Sequence, residues 1–182
     1  NEVIEVCGQK VPFVANVIFH DTFSQADIAC VIGETLYDTT LPNAHVIAHP
    51  CNSIEIIDAA KKRRNFLTSM TLQNNCALVS CSSDMSESTT DLLFSGEKRI
   101  VECGTILQEA NFLASASIIY GEIDLDIITS KKLHNQTKHS ASHIINIALK
   151  PYGFDHLTRK VSPYPFVPSE LSERIERCKH IL

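Results

Sequence analysis

Apolar and polar residues alternate over Val3, Ile4 and Val6, and again over Val11, Phe13, Val14, Val17, Ile18 and Phe19, with Gly8-Gln9-Lys10 between the two stretches. Period-two alternation on either side of a glycine turn predicts two strands joined as a hairpin. Ile28–Ile32 is a short, continuous apolar run of the kind found in buried strands. A second such run, His45–Ala48, closes at Pro50, where the missing N–H predicts the strand's end. From Ile54 to Asn74 the period lengthens. Ile56, Ala59, Ala60, Arg63, Leu67 and Met70 recur at three- and four-residue spacing, which predicts a helix with Ser53 placed to cap it.

Cys76–Cys81 then reads as a strand, and Leu92-Leu93-Phe94, Arg99–Glu102 and Ile106-Leu107 as a meander turning at Gly104. Ser117–Ile128 reads as one more strand running into a short helix. Beyond His134 no clean period survives, and Pro151, Pro163, Pro165 and Pro168 mark an extended tail that ends in a helix over Ser169–Ile181. The expected division is therefore a domain over 1–150 and a tail with its helix over 151–182. No internal repeat is visible. The order β-β-β-β-α-β-β-β predicts a layered α/β fold. The sequence holds no Gly-x-Gly-x-x-Gly and no Walker loop, so no cradle for a dinucleotide or ATP phosphate is expected in it.

Composition narrows the function classes. The 182 residues suffice for one good core and fall short of two ordinary domains. A hydrophobic share of 44% with 20% charged residues fits a soluble globular chain. No apolar run approaches the roughly 20 residues needed to cross a membrane, so no membrane partner is expected. A net charge of −5 argues against a nucleic-acid partner, whose binding rests on cationic contacts to phosphate. The basic cluster Lys61-Lys62-Arg63-Arg64 reads as a solvated helix face. Seven cysteines, an odd number, with no secretory signal at the start predict free thiols and a cytoplasmic location. Several of these, Cys30, Cys76 and Cys81, sit in apolar runs and are expected to pack as small hydrophobes. The lack of an initiator Met suggests a fragment, a processed chain or an unrecorded start.

Two chemistries fit the cysteines and histidines poorly. His45, His49 and Cys51 are ligand-type residues close in sequence, but they share a strand face only if the strand continues past Pro50, and no second ligand pair completes a set. No metal is expected. His139 and His143 stand four apart and read as a surface pair. A Cys/His hydrolase built on Cys51 or Cys81 lacks any sequence feature that lowers either thiol's pKa.

Four segments, in order, resemble one family. They are Lys10-Val11-Pro12-Phe13 with Val17-Ile18-Phe19; Val31-Ile32-Gly33-Glu34-Thr35-Leu36-Tyr37; Glu87-Ser88-Thr89-Thr90-Asp91-Leu92-Leu93-Phe94-Ser95-Gly96, followed by Ile100–Leu107; and Ser162–Pro168. Between the second and third, Pro50–Ser53 with Glu55, then Arg63-Arg64, continue the pattern. Together they resemble the nitrilase-type glutaminase domain of glutamine-dependent NAD synthetases, whose corresponding motifs read V-P-F-G-x-x-L-L-F, E-I-C-E-D-L-W, and G-E-S-T-T-D-L-V-F-x-G…I-A-E-N-G-x-L-L.

The resemblance implies a nitrilase-like α-β-β-α sandwich, the carbon-nitrogen hydrolase fold, incomplete at its N-terminus. It implies a glutamine-like small-molecule substrate and attack on its amide by a Cys thiolate, with a Glu base and a Lys. The ammonia released serves a synthetase domain, to which ATP and deamido-NAD bind, so no cofactor is expected on this chain. Pairing of domains into a homo-oligomer is implied as well. Gly33 stands where the nucleophilic Cys belongs, and the family's Glu and Lys lie on segments before residue 1. Loss of a covalent nucleophile costs about a million-fold in turnover elsewhere, so the chain itself is expected to be inactive. Glu34, Tyr37 and Ser53 are the candidate pocket residues. Glu87 and Asp91 read as carboxylates that satisfy loop amides. The alternative is a non-catalytic nitrilase-like domain that docks or supports a synthetase using free ammonia.

Overall fold

The structure, a computed structural model, describes residues 2–14, 16–38, 40–112, 118–134, 143–149, 159, 166–168 and 170–181. Its elements are β1 (Glu2–Val6), β2 (Gln9–Phe13), β3 (Val17–Asp21), β4 (Asp27–Cys30), α1 (Thr35–Asp38), β5 (Val46–Cys51), α2 (Ala59–Asn74), β6 (Ala77–Ser82), β7 (Lys98–Glu102), β8 (Thr105–Ala110), α3 (Leu125–His134), β9 (His143–Ile147) and α4 (Leu171–Ile181). A 3-10 turn, Met85–Glu87, lies between β6 and β7. β1 and β2 form a two-stranded sheet of their own. The other strands make a seven-stranded sheet in the order β8-β7-β6-β5-β4-β3-β9. Its centre, β4-β5-β6, is parallel, and β6-β7-β8 continues it antiparallel. The α/β class expected from the sequence holds.

One face of the sheet presents Ile18, Ala29, Ile47 and Leu78, and α2 covers it with Leu67 and Met70 while Phe66 packs alongside. α2 is tied down at its end by Thr71, whose hydroxyl accepts a hydrogen bond from the Gly104 amide at 3.1 Å. The opposite face holds a smaller cluster of Ala77, Cys103 and Ile128 of α3. Residues group into two compact units, Asn1–Pro151 and Tyr152–Leu182, the second containing α4. Among the described residues no helix is long and apolar enough to cross a membrane.

Several sequence expectations are corrected. The second arm of the hairpin splits into β2 and β3, separated at Asn16, whose φ of 56° breaks the extended path. α2 begins at Ala59, preceded by Asp58 in the left-handed region, so Ser53 does not cap it and Ile56 is 63% exposed. Residues 118–124 form no strand before α3. β9, read from sequence as irregular tail, pairs parallel with β3. Asp21 holds it there, its carboxylate accepting from the Leu149 amide at 2.9 Å. Cys30 and Cys81 are exposed, whereas Cys76 is buried as expected. β5 runs on through Pro50 to Cys51, so its alternation persists beyond the proline.

Candidate functional site

Alternation along β5 and β6 sets up the site. Register pairs Ile47 with Leu78, His49 with Ser80 and Cys51 with Ser82, so all six side chains share the face under α2. The first pair is apolar core. The next two pairs are polar, and they lie at the carboxyl ends of parallel strands, where open α/β sheets bind ligands. β7 extends the row, because Ser80 also pairs with Arg99 and the Ser82 amide donates to the Glu97 carbonyl.

Pro50 fits this strand for a definite reason. The carbonyls of Ala48 and Pro50 accept from the Val31 and Gly33 amides, each at 2.9 Å, so the Pro50 nitrogen also points to the β4 side. Regular β4–β5 pairing ends at Cys30–Ala48, where Pro50 has no N–H to continue it, while its carbonyl still accepts from Gly33.

Gly33 forms the turn from β4 into α1. Its φ is +58°, in the left-handed region, and a Cβ built there meets nothing within 4 Å. Its carbonyl accepts from His49 Nε2 at 3.0 Å. A carbonyl oxygen cannot donate, so Nε2 carries a proton and Nδ1, 3.0 Å from the Ser80 hydroxyl, is the nitrogen free to gain or lose one. A strand-to-helix turn at the head of a cleft is also where α/β-hydrolase folds present their catalytic nucleophile. Here it presents a hydrogen.

Beside that turn lies the Cys51 thiol. Its sulfur is 3.4 Å from the Ser53 hydroxyl and 3.9 Å from that of Ser80. Burial pushes the thiol's pKa up, but the nearby His49 and the Ser53 and Ser80 hydroxyls outweigh it, and the net direction is down. His49 is 3% exposed. Burial lowers its pKa, while Cys51 and the Gly33 carbonyl raise it further, so it ends above its ordinary value.

Two spaces meet at Cys51. An open cleft of about 540 Å³ is lined by Gly33, Glu34, Cys51, Asn52, Ser82 and Ser83 among others. Behind it a recess of about 10 Å³ touches Tyr37, His49, Ser53, Ser80 and Glu97. That recess has room for about one water, so a small-molecule ligand belongs in the outer cleft. The Tyr37 ring packs on Phe66 with centroids 4.5 Å apart. Burial, with the charge of Glu34, raises its pKa.

A charge network floors the recess. Arg63 donates to Glu97 at 2.7 Å and to Glu55 at 3.0 Å. Arg99 donates to both Glu97 oxygens, at 2.7 and 3.1 Å, and to Asn111 at 3.2 Å. Its Nε stands 3.6 Å from the Glu109 carboxylate, an ion pair too long to be a hydrogen bond.

No family model matches the chain. This chain is similar to glutamine-dependent NAD(+) synthetases. It is 29% identical over 153 residues to the enzyme of Mycobacterium leprae (strain TN), a match that covers 78% of this chain and 22% of that protein. The chain thus spans 22% of the length of the curated relatives it matches. Among solved structures, a glutamine-dependent NAD(+) synthetase from Cytophaga hutchinsonii aligns with a TM-score of 0.49 and 19% identity, over 59% of this chain and 17% of that one. A CN-hydrolase superfamily protein from Xanthomonas campestris aligns at 0.48 and 11% identity, over 73% of this chain and 47% of that one.

The residues singled out from sequence fall into three places. Gly33 and Glu34 line the outer cleft. Tyr37 and Ser53 border the inner recess, with Cys51 common to both spaces. Glu87 and Asp91 are exposed on the loop before β7, where the amides of Met85, Phe94 and Leu92 are satisfied by Asp84, Ser88 and Thr89. His45 turns to Asp27, whose amide donates to its Nδ1 at 3.0 Å, and so leaves the row that holds His49 and Cys51. Of the surface histidine pair, His139 lies outside the described residues. Arg63 leaves the solvated face expected for the basic cluster and enters the charge network. Glu97 with Arg99 escaped the sequence reading, which set aside His49 and Cys51 as a metal set and Cys51 as a hydrolase nucleophile for want of a shared face and of a feature lowering the thiol's pKa. The signal that finds His49 and Cys51 as a pair is the matched alternation Ile47-x-His49-x-Cys51 and Leu78-x-Ser80-x-Ser82.

Proposed function

We propose that this chain is the glutaminase-domain portion of a glutamine-dependent NAD synthetase, whose whole reaction hydrolyses glutamine to supply ammonia for ATP-dependent amidation of deamido-NAD. The chain itself binds a glutamine-like molecule in the outer cleft and does not hydrolyse it. ATP and deamido-NAD belong to the synthetase domain it serves, and copies of the chain associate. The observation that carries this reading is the turn at Gly33. It supports a nucleophile-presenting geometry, opens on a cleft of substrate size, and carries no side chain to attack with.

Calorimetric titration with L-glutamine and ammonia release measured on the same sample test it. Binding without ammonia release is expected, with affinity reduced by Glu34→Gln, which removes the charge facing the ligand's ammonium. Ammonia release above that of a heat-denatured control, or no binding of glutamine at all, overturns it.

A further inference from the structure

Gly33 brings no nucleophile to the cleft, but the neighbouring strand brings a thiol. Cys51 lines the cleft beside Gly33, with Ser53 and Ser80 hydroxyls at 3.4 and 3.9 Å from its sulfur. Ser80 also bonds His49 Nδ1 at 3.0 Å. With Nε2 committed to the Gly33 carbonyl, Nδ1 is the basic nitrogen, and the order sulfur, hydroxyl, imidazole is a path for one proton. The same hydroxyls then donate to the thiolate left behind.

We propose that Cys51, with His49 as its proton acceptor through Ser80, is a nucleophilic thiol that captures small, uncharged α,β-unsaturated carbonyl compounds entering the cleft. The wall of the cleft selects the class. Glu34 on its rim repels anions, while Ile32 and Pro50 offer apolar surface to an unsaturated carbon chain. Ser83 donates to Asn52 Oδ1 at 2.6 Å, which leaves the amide N–H groups as what Asn52 offers a carbonyl oxygen. In the reaction the sulfur pair forms a bond to the β carbon and the C=C π pair moves onto the α carbon and carbonyl oxygen. The proton given to His49 returns to the α carbon. Nothing leaves, and no oxidant or reductant is consumed. This inference rests on the side-chain cluster and is independent of the relationship to the synthetases.

The other cysteines make the test decisive. Cys30 and Cys81 are exposed, Cys51 only partly so. Accessibility alone ranks Cys51 below them, and activation by His49 ranks it above. The intact chain is treated with limiting N-ethylmaleimide at about pH 6, quenched and digested, and each cysteine's modification is quantified by mass spectrometry. Cys51 is expected to react at least about ten-fold faster than Cys30 and Cys81, with a pH profile displaced to lower pH. His49→Gln is expected to bring Cys51 to their rate and leave theirs unchanged. The pH profiles of the unsubstituted chain need no variant, so a misfolded His49→Gln does not block the test. A Cys51 rate at or below that of Cys30 and Cys81, or a Cys51 profile coinciding with theirs, overturns the proposal. Glutamine hydrolysis is measured separately and bears only on the synthetase reading.

Discussion

Replacing Glu97 by Ala removes the carboxylate on which two guanidinium groups converge. Glu97 is 4% exposed and Arg99 3%, so the pair is buried on both sides. Three charge-assisted hydrogen bonds are lost, one from Arg63 and two from Arg99. At about 1.5–3 kcal/mol each, they set an upper bound of about 4.5–9 kcal/mol. The cost falls below that bound because neither arginine is left bare. Arg63 keeps Glu55 at 3.0 Å and the Ile54 carbonyl at 2.9 Å. Arg99 keeps Asn111 at 3.2 Å and the more distant Glu109. Breaking a buried ion pair from one side typically costs about 3–5 kcal/mol, and the residual partners place this one near about 3 kcal/mol. Urea unfolding followed by far-ultraviolet circular dichroism measures it. The exposed pair Arg64–Glu109 is the internal reference: Arg64→Ala should cost no more than about 1 kcal/mol. If Glu97→Ala costs as little as Arg64→Ala, the network is not the anchor that its geometry describes.

The same residue gives a pH signature. Burial raises the Glu97 pKa, but Arg99 and Arg63 outweigh it and the net direction is down. The unfolded chain therefore takes up the proton first as acid is added. The stabilisation is complete above the unfolded carboxylate's pKa and is lost as pH falls through the lower, folded value. Stability of the unsubstituted chain should fall more steeply below about pH 5 than that of Glu97→Gln, whose side chain has no proton to take up.

Pro50→Ala should lose at most about 0.4–1 kcal/mol through unfolded-chain entropy, because the new N–H faces the segment after β4 and any bond it makes there offsets the loss. A stabilised variant would show that the ladder does lack a donor there. Two glycines of positive φ should separate when each is changed to Ala. Gly33→Ala should cost about 1–2 kcal/mol of backbone strain, since its Cβ meets nothing within 4 Å. Gly104→Ala should cost more, because its Cβ would lie 3.0 Å from Leu72 Cβ. Equal unfolding midpoints for the two would contradict the difference in their surroundings.

Period and turn residues made much of the sheet legible. The runs around Ile28, Val46 and Leu78 became the parallel centre, and Gly104 became the turn between β7 and β8. What sequence did not reveal depended on partners far along the chain. β9 has no distinguishing pattern of its own, and its place depends on β3 and on the Asp21 carboxylate reaching the Leu149 amide. Helical spacing through Ile56 continued the pattern of α2 backwards into a loop that Ser82 and Phe94 fix by bonds to Ser53 and Ile54. Pro50 reads as a terminator on the strength of its missing N–H. Which side of the strand that nitrogen faces is set by the neighbouring strand, and this hid the shared face of His49 and Cys51.

The turn at Gly33 keeps its form for reasons that do not involve a side chain at position 33. The Val31 and Gly33 amides are bonded to β5, and His49 holds the Gly33 carbonyl. A residue with a Cβ at φ +58° would store about 1–2 kcal/mol of strain there, the kind of cost that active sites carry. Glycine carries no such cost, so the turn as it stands is relaxed. Glu34, Asn52, Ser82 and Ser83 line the cleft beside this turn. Cys51 enters it from the next strand, with a base already hydrogen-bonded through Ser80. The thiol is thus aimed into the cleft by alternation along β5, not by strain in a turn.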